Sequence, residues 1–150
     1  MQKIIFVCSG NTCRSPFAMF YFNKKAAELN LNIRASSAGL SVFSKNKVCQ
    51  NAITASYAYG VEEEMKKHFS TPITLTALSD TDYIYTMEYH HSVVLKNSIT
   101  DKIITKNNLK IEVLGQGIPD PYGGSIDDYN KCYDEISKAI DLLIKEISNG

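Results

Sequence analysis

Along the chain, short compact apolar runs alternate with longer stretches in which hydrophobic residues recur every three or four positions. Lys3 to Val7 is a β-branched-rich run of the kind a parallel strand shows when both its faces are buried. A polar loop follows from Ser9 to Arg14. Ser15-Pro16 then predicts a helix start, with serine as cap and proline in the first turn. That helix carries Phe17, Phe20, Tyr21 and Ala27 and runs to about Asn30. Ile33 to Ala38 predicts a second strand ending at Gly39, and Leu40 to Val48 a surface loop. Asn51 to Tyr59 predicts a helix closed by Gly60. Asp82 to Met87 is strand-like, a helix follows around Glu88 to Leu95, and Lys110 to Leu114 is the fourth strand.

The last element has the clearest pattern. Ser125 and Asp128 form an S-x-x-D capping box. Beyond it, Ile126, Tyr129, Tyr133, Ile136, Ile140, Leu143 and Ile147 recur at alternating spacings of three and four, an amphipathic helix of about six turns. Such a stripe suits a coiled coil, but packing onto a sheet is the simpler expectation. Strands alternating with helices imply an α/β fold with a doubly wound parallel sheet. There is no internal repeat, linker or low-complexity tract, so residues 1–150 are expected to form one domain.

Composition adds boundaries. The 150 residues carry no net charge, so bulk electrostatics give no case for nucleic acid or an anionic membrane. No stretch reaches the roughly 18 apolar residues of a membrane span, and the opening MQKIIFVCSG has too short an apolar run for a signal peptide. Four cysteines, at 8, 13, 49 and 132, show no paired CxxC spacing and no dense disulfide framework. A reduced, cytoplasmic protein is expected. Any attraction to an anion has to be local.

One loop supplies it. In folds of this class ligands bind beyond the carboxyl ends of the strands, and the loop after the first strand reads CSGNTCRS. Gly10 and Asn11 tolerate the left-handed backbone that turns successive N–H groups inward. The following helix aims its positive end at the same spot, and Arg14, one of two arginines, adds a planar fork matched to two phosphate oxygens. Cys8 lies at the base of that field, which favours a thiolate nucleophile. Ser15 is placed to donate to its sulfur. The plainer alternative, a core cysteine at a strand end, leaves the Gly-Asn turn, Arg14 and Ser-Pro without a purpose.

The segment VCSGNTCRSP resembles the C-x-G-N-x-C-R-S-P phosphate-binding loop of the low-molecular-weight protein tyrosine phosphatases. The resemblance covers nearly the whole chain. SSAG at 36–39 looks like that family's turn after the second strand, DYIYTM like the strand before a Met-acid pair, and KIEVLG like the strand before its long loop. In that loop DPYGG supplies an Asp-Pro-aromatic motif, more than 100 residues from the cysteine. The resemblance implies a flavodoxin-like fold of four parallel strands and a two-step displacement. Cys8 would attack phosphorus, and Arg14 with the amides of Ser9, Gly10, Asn11, Thr12, Cys13 and Ser15 would hold the phosphate. Asp120 would serve as acid and then base, although Asp-Pro is also ordinary turn chemistry. Asn11, Ser15, Ser37 and His68 would support the loop, and Phe43 and Tyr122 would wall the substrate. No cofactor or metal is implied, and the expected partner is a phosphorylated protein, the enzyme acting as a monomer or weak dimer.

Two positions depart from the pattern. Met19 stands where the family continues with an acid, and Thr12 where tyrosine-specific members often carry a branched apolar residue. Thr12 together with DPYGGSI resembles the bacterial branch that dephosphorylates phosphoarginine, so phosphotyrosine is the leading expectation and phosphoarginine the alternative. An arsenate reductase would relay electrons through cysteines in mid-chain, and none lies between 49 and 132. Phosphocysteine carriers lack the arginine and the acid. A phosphopeptide-binding module would lack Cys8 or Asp120. His90 and His91 lack a ligand partner at metal spacing and read as solvent-facing helix residues; Cys49 and Cys132 read as packing residues.

Overall fold

The computed structural model describes residues 1–99, 105, 106 and 108–150. Its sheet is built outward from β1 (Gln2–Cys8), whose Ile4, Phe6 and Cys8 face one layer of the core and whose Ile5 and Val7 face the other. Burial on both faces is what the unbroken apolar run required. β2 (Ile33–Gly39) and β3 (Tyr83–Thr86) flank β1 in parallel, and β4 (Lys110–Val113) pairs with β3, giving the order β2-β1-β3-β4. The strand order reverses between β1 and β3, the place where such sheets open a crevice. This is the flavodoxin-like arrangement that the resemblance implied.

Helices cover both faces. α1 (Arg14–Glu28) and α6 (Ile126–Asn149) pack over the Phe6 layer, with Phe17 stacked on Tyr133 at a ring separation of 3.9 Å. α6 starts as expected, with Ser125 and Asp128 each accepting the other's backbone N–H. α2 (Gln50–Ser56) continues as a 3₁₀ turn, Tyr57–Tyr59, which Gly60 closes in the left-handed region at φ 75°. α5 (Tyr89–Ser98) follows β3. Two short helices, α3 (Glu62–Lys67) and α4 (Leu75–Ser79), occupy a stretch whose residues show no helical periodicity. Among the described residues, no helix is long and apolar enough to cross a membrane.

The start of α1 differs from the expectation. Its N-cap is Cys13, Arg14 is the first helical residue, and Ser15 and Pro16 lie within the first turn. The Ser15 hydroxyl does not cap the helix. It turns back into the loop.

Candidate active site

Cys8 ends β1 at the crevice, and its Sγ is wrapped by the loop that follows. The Asn11 N–H donates to Sγ at 3.2 Å, and Ser15 Oγ lies 2.9 Å from it. A loop this tight needs one residue in the left-handed region, and that residue is Asn11, at φ 55°, rather than Gly10. The Asn11 side chain is fully buried and fully engaged. Its Nδ2 donates to Ser15 Oγ (2.8 Å) and Ser37 Oγ (3.0 Å), while its Oδ1 accepts from the Thr71 N–H at 2.8 Å. His68 Nε2 closes the arrangement, 3.0 Å from the Asn11 carbonyl and 3.1 Å from Oδ1. Burial lowers the His68 pKa, which keeps the ring neutral beside these acceptors.

The neighbouring strand and helix fix the loop from either side. Leu40 and Ser41 N–H groups donate to the carbonyls of Cys8 and Ser9. A Cβ on Gly39 would stand 2.7 Å from the Ser9 carbonyl oxygen, so only glycine fits where β2 meets the loop. From α6, the Tyr133 hydroxyl donates to the Cys13 carbonyl at 2.8 Å.

Arg14 is 1% exposed. Its Nη1 donates to Glu88 Oε2 (2.9 Å) and to the Ile118 carbonyl (2.7 Å), and its Nη2 lies 3.7 Å from Asp120 Oδ2. Burial works against the guanidinium's charge, but Glu88, Cys8 and Asp120 outweigh it and the pKa rises. Its Nε is buried with no hydrogen-bond partner among the described residues, a donor that an anion in the crevice would satisfy. Asp120 keeps its turn role, accepting the Tyr122 N–H at 3.0 Å, and its side chain stays 46% exposed. A cavity of about 220 Å³ brings Cys8, Thr12, Arg14, Asp120 and Tyr122 together. Tyr122 is 81% exposed at its rim, whereas Phe43 is 95% exposed and does not line it. The opposite wall is Ser41, Val42 and Asn46, because the loop after β2 turns Phe43 outward.

A sequence model of the family described as low molecular weight phosphotyrosine protein phosphatase matches residues 3–150. The protein-arginine-phosphatase of Bacillus subtilis is 33% identical over 151 residues, covering 97% of this chain and 97% of that one. The low molecular weight protein-tyrosine-phosphatase PtpB of Staphylococcus epidermidis is 32% identical, covering 95% and 96%. A solved structure of a cysteine-to-serine mutant of the arginine phosphatase YwlE, with its active-site serine phosphorylated, superposes with a TM-score of 0.83 at 29% identity, covering 98% and 96%. The chain belongs to the low molecular weight phosphotyrosine protein phosphatase family. As a member, it is a cysteine-dependent phosphatase.

Two residues that brace the phosphatase's site, through Arg14 and Ser9, were not placed there from sequence. Glu88 is the N-cap of α5 and holds Arg14; partial burial pushes its pKa up, but the Arg14 hydrogen bond and charge overcome this and hold it below the usual carboxylate range. His91 is 1% exposed, which corrects its reading as a solvent-facing residue; His90 alone is exposed. His91 turns inward because its ring accepts the Glu88 N–H at Nδ1 (3.1 Å) and meets Ser9 Oγ at Nε2 (2.9 Å). Glu88, His90 and His91 also bring ligand-type atoms within 4.8 Å of one another, so the two histidines do have an acidic neighbour. Glu88 is engaged by Arg14, and both His91 ring nitrogens have partners. Cys132 packs as expected, while Cys49 is exposed with its Sγ 3.3 Å from the Tyr129 hydroxyl. Burial, then the charges of Cys8 and Asp120, push the Cys13 thiol far up, which keeps it neutral beneath the loop.

Proposed function

We propose that the phosphatase removes phosphate from phosphotyrosine in proteins through a phosphocysteine at Cys8. One observation carries this reading: Cys8 shares a cavity with Asp120 and with Arg14, whose buried Nε has no hydrogen-bond partner among the described residues. The Cys8 thiolate forms the S–P bond as the P–O bond to tyrosine breaks. The amides of the loop and Arg14 hold the three non-bridging oxygens, and Asp120 gives its proton to the leaving phenolate. Water then attacks phosphorus, Asp120 takes its proton, and the S–P bond breaks to restore the thiolate and release phosphate. Ser15 donates to the sulfur, and Ser37 and His68 hold Asn11 so that the loop keeps its shape. The relative whose active-site serine carries phosphate supports Cys8 as the acceptor.

A second reading, phosphoarginine, is favoured by Thr12 in the cavity wall and by the relative named a protein-arginine-phosphatase. Tyr122 stacks on a phenyl ring or a guanidinium alike. We further infer one domain over residues 1–150, a monomer or weak dimer, and a reducing, cytoplasmic setting that suits four free cysteines. The deciding experiment measures phosphate release from matched phosphotyrosine and phosphoarginine peptides by wild type and Cys8→Ser. The proposal expects higher kcat/KM on phosphotyrosine and none in the variant. The reverse preference establishes the second reading, and turnover by Cys8→Ser removes the covalent step.

A further inference from the structure

The loop's first residue after the nucleophile is held from outside the loop. Ser9 Oγ lies 2.9 Å from His91 Nε2, although the two residues are 82 positions apart. The ring's protonation follows from its partners. Nδ1 accepts the Glu88 N–H, so it carries no proton. Burial, then the charges of His90 and Arg14, press the His91 pKa down to about 4, so the ring is neutral near pH 7. Its one proton is therefore on Nε2, which donates to Ser9 Oγ. The residue before this network, Glu88, is the one whose carboxylate holds Arg14.

We propose that His91 is a positioning residue of the phosphate cradle, its Nε2–H fixing Ser9 so that the loop amides and Arg14 are aligned from a single point at the start of α5. The inference rests on the phosphatase reading above. One turn of helix sets both halves of the anion site: Glu88 sets the guanidinium, and His91 sets the strand-to-loop junction at Ser9. Ser9 is half-buried, and its carbonyl is already tied to the Ser41 N–H. The histidine adds a side-chain tether to this main-chain one, from a distant part of the sequence.

Two conservative variants separate the ring's two bonds. His91→Gln extends an amide N–H toward Ser9 and gives up the Nδ1 acceptor; His91→Asn keeps an acceptor near Glu88 N–H and gives up the reach to Ser9. Steady-state turnover of p-nitrophenyl phosphate and competitive inhibition by inorganic phosphate are measured for wild type, both variants, Ser9→Ala and the His91→Asn/Ser9→Ala double variant. The expected result is about a tenfold loss of kcat/KM, with weaker phosphate inhibition, in His91→Asn and Ser9→Ala alike. His91→Gln stays within a few-fold of wild type, and the double variant is no worse than either single one. Losses that multiply in the double variant, or a His91→Asn enzyme equal to wild type, overturn the proposal. Equal losses in the Asn and Gln variants with Ser9→Ala unaffected also overturn it, since they assign His91 only to the helix start. A wild-type enzyme with no turnover at all would instead count against the phosphatase reading itself.

Discussion

Asp120 shapes the Asp-Pro turn with the same carboxyl group that the proposed mechanism uses as its acid, and a single substitution separates the two. In Asp120→Asn the amide oxygen still accepts the Tyr122 N–H that shapes the turn, but no proton is available for the leaving group. Turnover of phenyl phosphate, a poor leaving group, is expected to fall about a hundredfold or more, and that of p-nitrophenyl phosphate far less. A leaving-group series checks this; parallel losses would take the acid role from Asp120. A second expectation concerns pH and stability. His91 titrates near 4 in the folded protein, because of burial and then the His90 and Arg14 charges, against an ordinary value near 6.5. Between those values the unfolded chain binds the extra proton and the folded one does not, so stability falls as pH drops from about 6.5 to about 4, by about 3 kcal/mol. Below that window this group takes away nothing more. His68, also lowered by burial, adds a loss of the same sign. Urea midpoints at pH 7 and pH 5 should therefore differ, and His91→Asn should narrow the difference; an unchanged difference would show that His91 is protonated while folded. At this scale the sequence made the placement of Cys8, Asn11, Arg14 and Ser15 legible, because their contacts with one another fall within one short loop. Glu88 and His91 were not legible. Their partners lie 74 and 82 residues away, and nothing local distinguishes a helix-start histidine that faces inward from one that faces water.

At the scale of elements, the junction of β2 with the loop is the tightest point. A methyl group on Gly39 would meet Val42 Cγ2 at 2.5 Å, Ser9 O at 2.7 Å and Asn11 N at 3.1 Å. Two of these are backbone atoms of the loop, so Gly39→Ala must displace the loop rather than a flexible side chain. Overpacking of this kind costs about 1–3 kcal/mol, and a displacement near 1 Å in a reacting site costs about a hundredfold in rate. Activity should thus fall well before folding does: thermal melts and kcat/KM compared in the same preparation test this, and full activity in a folded variant would show that the loop tolerates the methyl. Strand patterns and the α6 stripe were readable because burial on one or two faces writes a period into the chain. α3 and α4 were not, since five or six residues span too few turns to show a period. The α1 start was misread because Ser-Pro is a good local cap, while the loop claims the Ser15 hydroxyl for Cys8 and Asn11.

Over the whole molecule, the fold class followed from the alternation of strands and helices, and the site followed from the fold, since the crevice at the β1/β3 reversal is where the loop had to lie. With no net charge, the protein has no bulk attraction for an anion, and the proposed reading leaves that task to the loop and the start of α1. Inorganic phosphate at about a hundred times its dissociation constant should raise stability by about 2.7 kcal/mol. Thermal melts with and without phosphate measure this, and Arg14→Ala should abolish the gain; a gain that survives would place the anion elsewhere. Arg14 also joins three distant parts of the chain through one guanidinium: it begins α1, holds Glu88 at the start of α5, and grips the Ile118 carbonyl in the segment that carries Asp120. An anion held by the same guanidinium should therefore stiffen all three together. Hydrogen exchange at Gly117 and Ile118 should slow when phosphate binds, and by reciprocity anything that stills that segment from outside should tighten the hold on phosphate.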